Sequence, residues 1–160
     1  MTLEETLAAT AVNAWTIYLN RAEKFFFALD DEQLQTEIAP GKNRLIYLFG
    51  HLIAAHDAMF SVLGLGDRLH PELDAPFLTS PDRTAPALPS RADLQRMWTE
   101  VHGALNERFT RLTPAEWLQK HTLISDVDFA ANPLRNRLSV MVTRIGHLAS
   151  HLGQAQIAPK

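Results

Sequence analysis

Cysteine is absent from the 160 residues. That removes disulfides, thiolate-ligated zinc, iron–sulfur clusters and a cysteine nucleophile together. Metal chemistry then falls to His, Asp or Glu, and any thiol must arrive with a substrate. An excess of positive charge is missing too: 15 Lys and Arg stand against 18 Asp and Glu, for a net charge of -3. A nucleic-acid partner draws on a basic block or stripe, so the sequence points away from one. Long apolar runs are scarce. The most apolar stretch, Leu45 to Phe60, is broken by Gly50, His51, His56 and Asp57, and reads as too short and too polar for a membrane span. The start, Met1-Thr2-Leu3-Glu4-Glu5, lacks the basic and apolar regions of a signal peptide. A soluble cytoplasmic protein with no membrane partner is expected. Period-two alternation, the mark of half-buried strands, is lacking as well.

What is present is helix-forming. Hydrophobic residues make up 46% and charged residues 21% of the chain, enough for one core and, at this length, one domain over 1–160. Leu3, Leu7, Ala11, Ala14, Trp15, Tyr18, Ala22, Phe25 and Leu29 recur at steps of three and four, with Thr2 and Glu5 as a capping box. Asp30 to Gly41 reads as a polar connector. Asn43 reads as the N-cap of a second, nearly all-round apolar block, Arg44 to Leu63, stopped by Gly64 and Gly66. Gly64 to Pro89 holds Pro71, Pro76, Pro81, Pro86 and Pro89, so no regular helix runs through it. A connection this long is a lid, a binding loop or a disordered strap. Ser90 and Asp93 open a third helix traced by Leu94, Met97, Trp98, Val101, Leu105, Phe109 and Leu112. Thr113-Pro114-Ala115-Glu116 starts a short helix through Leu118, and Gln119 to Asn132 reads as irregular. The fourth block opens at Asn132-Pro133 and runs to about Ile157. These blocks predict an all-α fold, a four-helix bundle with a long Pro-rich loop between helices 2 and 3.

Seven histidines are the surplus in this composition. His147 and His151 are four apart on the last helix, one turn on one face, within reach of a single ion. Spacing alone also fits the polar half of an amphipathic helix, because Val140, Thr143, Arg144, Ser150 and Gln154 share that face. The opposite side carries Leu138, Met141, Val142, Ile145, Leu148 and Leu152. The pair becomes informative if another helix offers a third ligand. His51 is the candidate, midway along the most apolar block with Ala54, Ala55 and Ala58 beside it, where a buried imidazole needs a partner. A core histidine satisfied by a backbone carbonyl or a carboxylate is the plainer alternative. His56 is the rival third ligand, but five residues turn it about 140° from His51, so both cannot face one ion; it reads as structural or as a group standing behind the ligands. His70, His102 and His121 read as surface residues.

Asn43-Arg44-Leu45-Ile46-Tyr47-Leu48-Phe49-Gly50-His51-Leu52 resembles the second helix of the DinB/YfiT-like family. Arg144-Ile145-Gly146-His147-Leu148-Ala149-Ser150-His151-Leu152-Gly153-Gln154 resembles its final helix, with His-x-x-x-His followed by Gly-Gln. The resemblance implies a four-helix bundle in which His51, His147 and His151 bind a divalent metal near one end, often in homodimers. Many relatives carry a basic residue after the final His, where this chain has Leu152. Three imidazoles suit zinc, nickel, iron or manganese and leave a coordination position open. Members of that family include thiol S-transferases, so the resemblance implies a low-molecular-weight thiol among the small-molecule substrates. Arg144 is then placed to hold a substrate carboxylate, and Gln154 to hydrogen-bond behind the ligands; a solvated surface cation is the alternative for Arg144. Three functions compete: a metal-dependent thiol transferase or hydrolase; a non-catalytic metal- or small-ligand-binding stress protein, favoured by the lack of an evident general base; and a structural dimer with remnant histidines.

Overall fold

The computed structural model describes residues 1–159. It is all-helical, with no strand among the described residues and two isolated bridge pairs, Glu37 with Arg44 and Lys120 with Asn136. Eight α-helices follow in order: α1 (Leu3–Phe27), α2 (Asp31–Leu34), α3 (Leu45–Asp57), α4 (Met59–Val62), α5 (Arg91–Arg111), α6 (Pro114–Trp117), α7 (Asp126–Ala131) and α8 (Arg137–Gln156).

The local signals explain the starts. Thr2 and Glu5 close a capping box on α1, Ser90 accepts from the Asp93 amide at α5, and Thr113 and Glu116 box α6 behind Pro114. Several expected boundaries are corrected. The Asp30–Gly41 connector contains α2, capped by Asp30 and Gln33. Arg44, not Asn43, is the N-cap of α3, and it has no side-chain cap bond. The stretch expected to be irregular holds α7, which Asn132 ends rather than starting the last helix; Asn136 caps α8 four residues later. The second block divides at Ala58, yet Ala58 N–H still donates to Ala54 and Val62 N–H to Ala58, so the helical ladder carries across.

Side-chain pairs fix the directions of the long helices. Trp15 Nε1 donates to Asn106 at 3.1 Å and Trp98 Nε1 to Glu23 at 3.0 Å, so α1 and α5 are antiparallel. Phe49 lies against Trp98 and His56 against His102, so α3 and α5 are parallel. Leu45 shares a cleft with Ala155, while Gly64 approaches Arg137 at the other end, so α3 and α8 are antiparallel. Leu138 meets Leu7 and Ala8 where α1 and α8 begin, so those two are parallel. The order is up, down, down, up. Trp15, Trp98, Phe26, Phe49 and Leu148 are fully buried between these helices, each such side chain contributing on the order of 2–3 kcal/mol.

Two parallel helices in succession require the chain to return the length of the molecule, and Gly64–Pro89 is that return. It is neither regular helix nor unstructured: Pro71–Leu73 forms a 3-10 turn and Ala75–Thr79 a π turn. Gly64, at φ +65°, ends α4 in the left-handed region. Buried Asp57 accepts from Arg68 Nε at 2.9 Å and from the Leu69 and His70 amides. Phe77 is fully buried against α3, where Gly50 leaves room for it: a Cβ at Gly50 would clash with three carbons of the Phe77 ring. Further along, Tyr47 Oη donates to the Ser80 carbonyl and Asp82 pairs with Arg44 at 2.7 Å. Leu45–Val62 is long and apolar enough to cross a membrane, contrary to the sequence expectation, but 78% of it is buried inside the structure.

Candidate metal centre

The antiparallel pairing of α3 and α8 sets residue 51 at the level of residues 147 and 151. His51 Nε2 lies 3.0 Å from His147 Nε2, which lies 3.1 Å from His151 Nε2. One ring nitrogen from each lies within 4.8 Å of the others. The two histidines a turn apart on α8 and the candidate third ligand on α3 therefore meet. All three are partly buried.

Hydrogen bonds from outside the cluster fix two of the tautomers. His51 Nδ1 is 2.9 Å from the Phe77 carbonyl, which only accepts, so Nδ1 carries the proton and Nε2 presents a lone pair. His151 Nδ1 donates to Gln154 Oε1 at 2.8 Å, with the same result. Two lone pairs then face His147 Nε2, whose single proton can satisfy only one of them. A divalent cation satisfies all three nitrogens at once. Nitrogens about 2.0–2.1 Å from such an ion lie about 3.0 Å apart at right angles and about 3.4 Å apart at the tetrahedral angle, which matches the two separations measured from His147 Nε2. The donor set fits zinc or a neighbouring first-row ion.

The electrostatics point the same way. Burial lowers the His51 pKa against the opposing pull of the Phe77 carbonyl. Burial also pushes His147 down to about 4, helped by His151, His51 and Arg144. Both rings are thus held in the neutral form that ligates. Arg144, one turn before His147, is half-buried, and its Nε is enclosed without a hydrogen-bond partner. Desolvation pulls its pKa below the ordinary value, and its charge is felt at His51, His56 and His147. No carboxylate among the described residues joins the cluster.

The remaining histidines sort differently from the sequence reading. His56 is fully buried, does not join the cluster, and pairs through Nδ1 with His102 Nε2 at 2.7 Å. His102 corrects the expectation of a surface residue: it is 3% exposed, and its Nδ1 donates to the Trp98 carbonyl at 2.8 Å. Its position four after Trp98 and three before Leu105 was the available signal, since that is the inward seam of α5. Asp57 is turned from the cluster into its bonds with the crossover. His70 lies between Glu72 and Glu100, and His121 is partly exposed. The Phe77 carbonyl and the Gly50 space that admits its ring carried no sequence signal.

No curated protein matches the chain. The DinB superfamily profile matches residues 14–155, an interval that includes the α3 histidine, both α8 histidines and Gln154. The chain belongs to the DinB superfamily.

Proposed function

We propose that this protein is a metal-dependent enzyme of the DinB type that transfers a low-molecular-weight thiol to an electrophile, with His51, His147 and His151 as the metal ligands. The observation that carries the reading is the convergence of three Nε2 atoms, two of them stripped of their protons by partners outside the cluster. A divalent cation held by three imidazoles keeps an open position and lowers the pKa of a thiol or water that enters it. With no cysteine in the chain, the sulfur belongs to the substrate. Phe77 and Gln154 hold the His51 and His151 rings in the ligating orientation. Arg144, a desolvated cation without a carboxylate partner, binds an anionic group of the substrate through its terminal nitrogens. In the reaction the thiol sulfur forms a bond to carbon, the leaving group departs with its electron pair, and the thiol proton is released. On this reading the long helices act as one four-helix-bundle domain with the centre between α3 and α8.

Elemental analysis of tag-free protein should find one divalent ion per chain. The loaded protein should conjugate a small thiol to an aryl halide, and His147→Ala should abolish both. Metal-free protein, or conjugation that survives His147→Ala, overturns the reading. A second reading, metal or small-ligand binding without turnover, is favoured by one observation: no carboxylate stands in the cluster to act as a base. Stoichiometric metal with no turnover across thiols and electrophiles selects it.

A further inference from the structure

Among the described residues four buried side-chain nitrogens lack a hydrogen-bond partner, and three of them belong to residues close enough to act electrostatically on one another: His147 Nδ1, Arg144 Nε and His56 Nε2. Because α3 and α8 are antiparallel, five residues along α3 from His51 correspond to about five back along α8 from the cluster, which brings His56 to the level of Arg144. Arg144's charge acts on both His56 and His147, in keeping with that placement.

The proton on each of these nitrogens follows from its surroundings. His102 Nδ1 donates to the Trp98 carbonyl, so His102 Nε2 is an acceptor and His56 Nδ1 must be its donor. His56 Nε2 is therefore a bare lone pair in the core. His147, once its Nε2 serves as a ligand, carries its proton on Nδ1, and Arg144 Nε always carries one. Two donors and one acceptor remain, and none of them is hydrogen-bonded to another. An anion in their midst would satisfy both donors but face the His56 lone pair. Only a group that accepts twice and donates satisfies all three, and a water molecule does so, with the two to four polar partners that buried waters have.

We propose that one buried water joins His147 Nδ1–H and Arg144 Nε–H to His56 Nε2, making His56 and His102 positioning residues for the metal ligand His147. The polar chain then runs from the centre through His147, the water, His56 and His102 to the Trp98 carbonyl, anchoring an α8 ligand to α3 and α5. Outer partners of ligating histidines fix ring orientation, and their loss costs about 10–100-fold in metal affinity.

The inference rests on the proposed metal centre, and the test separates the two. Zinc affinity is measured by chelator competition on tag-free wild-type, His56→Leu and His56→Gln proteins, with zinc stoichiometry and thermal melts alongside. His56→Leu should keep stoichiometry but lose about 10–100-fold in affinity; His56→Gln, whose amide carbonyl still accepts, should recover most of it. Nitrogen-resolved NMR of zinc-loaded wild type should show a slowly exchanging His147 Nδ1–H with a cross-peak to bound water, a readout that stands even if His56→Leu fails to fold. Unchanged affinity in a folded His56→Leu protein, or a His147 Nδ1–H that exchanges freely or pairs with a protein group, overturns this inference alone. A wild type that takes no zinc overturns both it and the metal centre.

Discussion

Gly50→Ala tests whether the crossover and the metal centre are one mechanical unit. Within an exposed helix the change gains about 1 kcal/mol, because alanine costs less backbone entropy. At Gly50 the new Cβ clashes with three ring carbons of Phe77, a fully buried side chain. Overpacking costs about 1–3 kcal/mol, and an overlap this deep sits at the upper end. Setting about 3 against the gain of about 1 leaves a net loss of about 2 kcal/mol, a fall in Tm of about 4–8 °C for a chain of this size. Displacing Phe77 also moves the carbonyl that holds His51 Nδ1, so zinc affinity should drop about 10–100-fold. Gly103→Ala, on an exposed turn of α5 with nothing near its added Cβ, is the control and should gain stability. Thermal melts and chelator competition read both effects. The reasoning is refuted if Gly50→Ala stabilises as Gly103→Ala does and leaves zinc affinity unchanged.

Two further outcomes follow from the buried polar groups. His56 and His102 are kept neutral by burial, with pKa values below that of a free imidazole. The unfolded chain therefore takes up protons that the folded one refuses once the pH falls below about 6.5. Stability is present in full above that pH and declines toward acid, by up to about 1.4 kcal/mol per pH unit for each histidine. Denaturant midpoints of metal-free protein between about pH 7.5 and about pH 5.5 measure this slope, and a flat profile contradicts it. Asp57→Ala leaves the Leu69 and His70 amides without their fully buried acceptor and Arg68 with Asp74 as its remaining partner. It should cost about 1–3 kcal/mol and speed hydrogen exchange at the Leu69 and His70 amides; unchanged exchange there would show that Asp57 does not tie the crossover down.

How much of this was legible varies with the range of the interaction. The capping patterns at Thr2, Ser90 and Thr113 act over three residues and were readable as written. The start of α8 was misplaced because Asn132 and Asn136 carry the same chemistry four residues apart, and only the packing around them decides which one opens the helix. His147 and His151 announced themselves by spacing, and His51 by an imidazole set in apolar surroundings. Phe77 could not be found that way: it acts through its main-chain oxygen, which every residue possesses, and it reaches His51 only because the crossover doubles back. The His56–His102 pair joins side chains 46 residues apart, so its existence depends on α3 and α5 running the same way, which neither helix encodes alone.

The order in which the polypeptide is made gives the pairing of α1 and α3 with α8 a temporal meaning. The ribosome delivers α1 and α3 before α8, and until α8 emerges they expose apolar flanks that this 20-residue helix covers. His51 waits for a partner 96 positions downstream, and contacts that distant form slowly. On the proposed reading a cation cannot be held by all three imidazoles until α8 has emerged, so a nascent fragment lacking α8 cannot sequester metal through this triad.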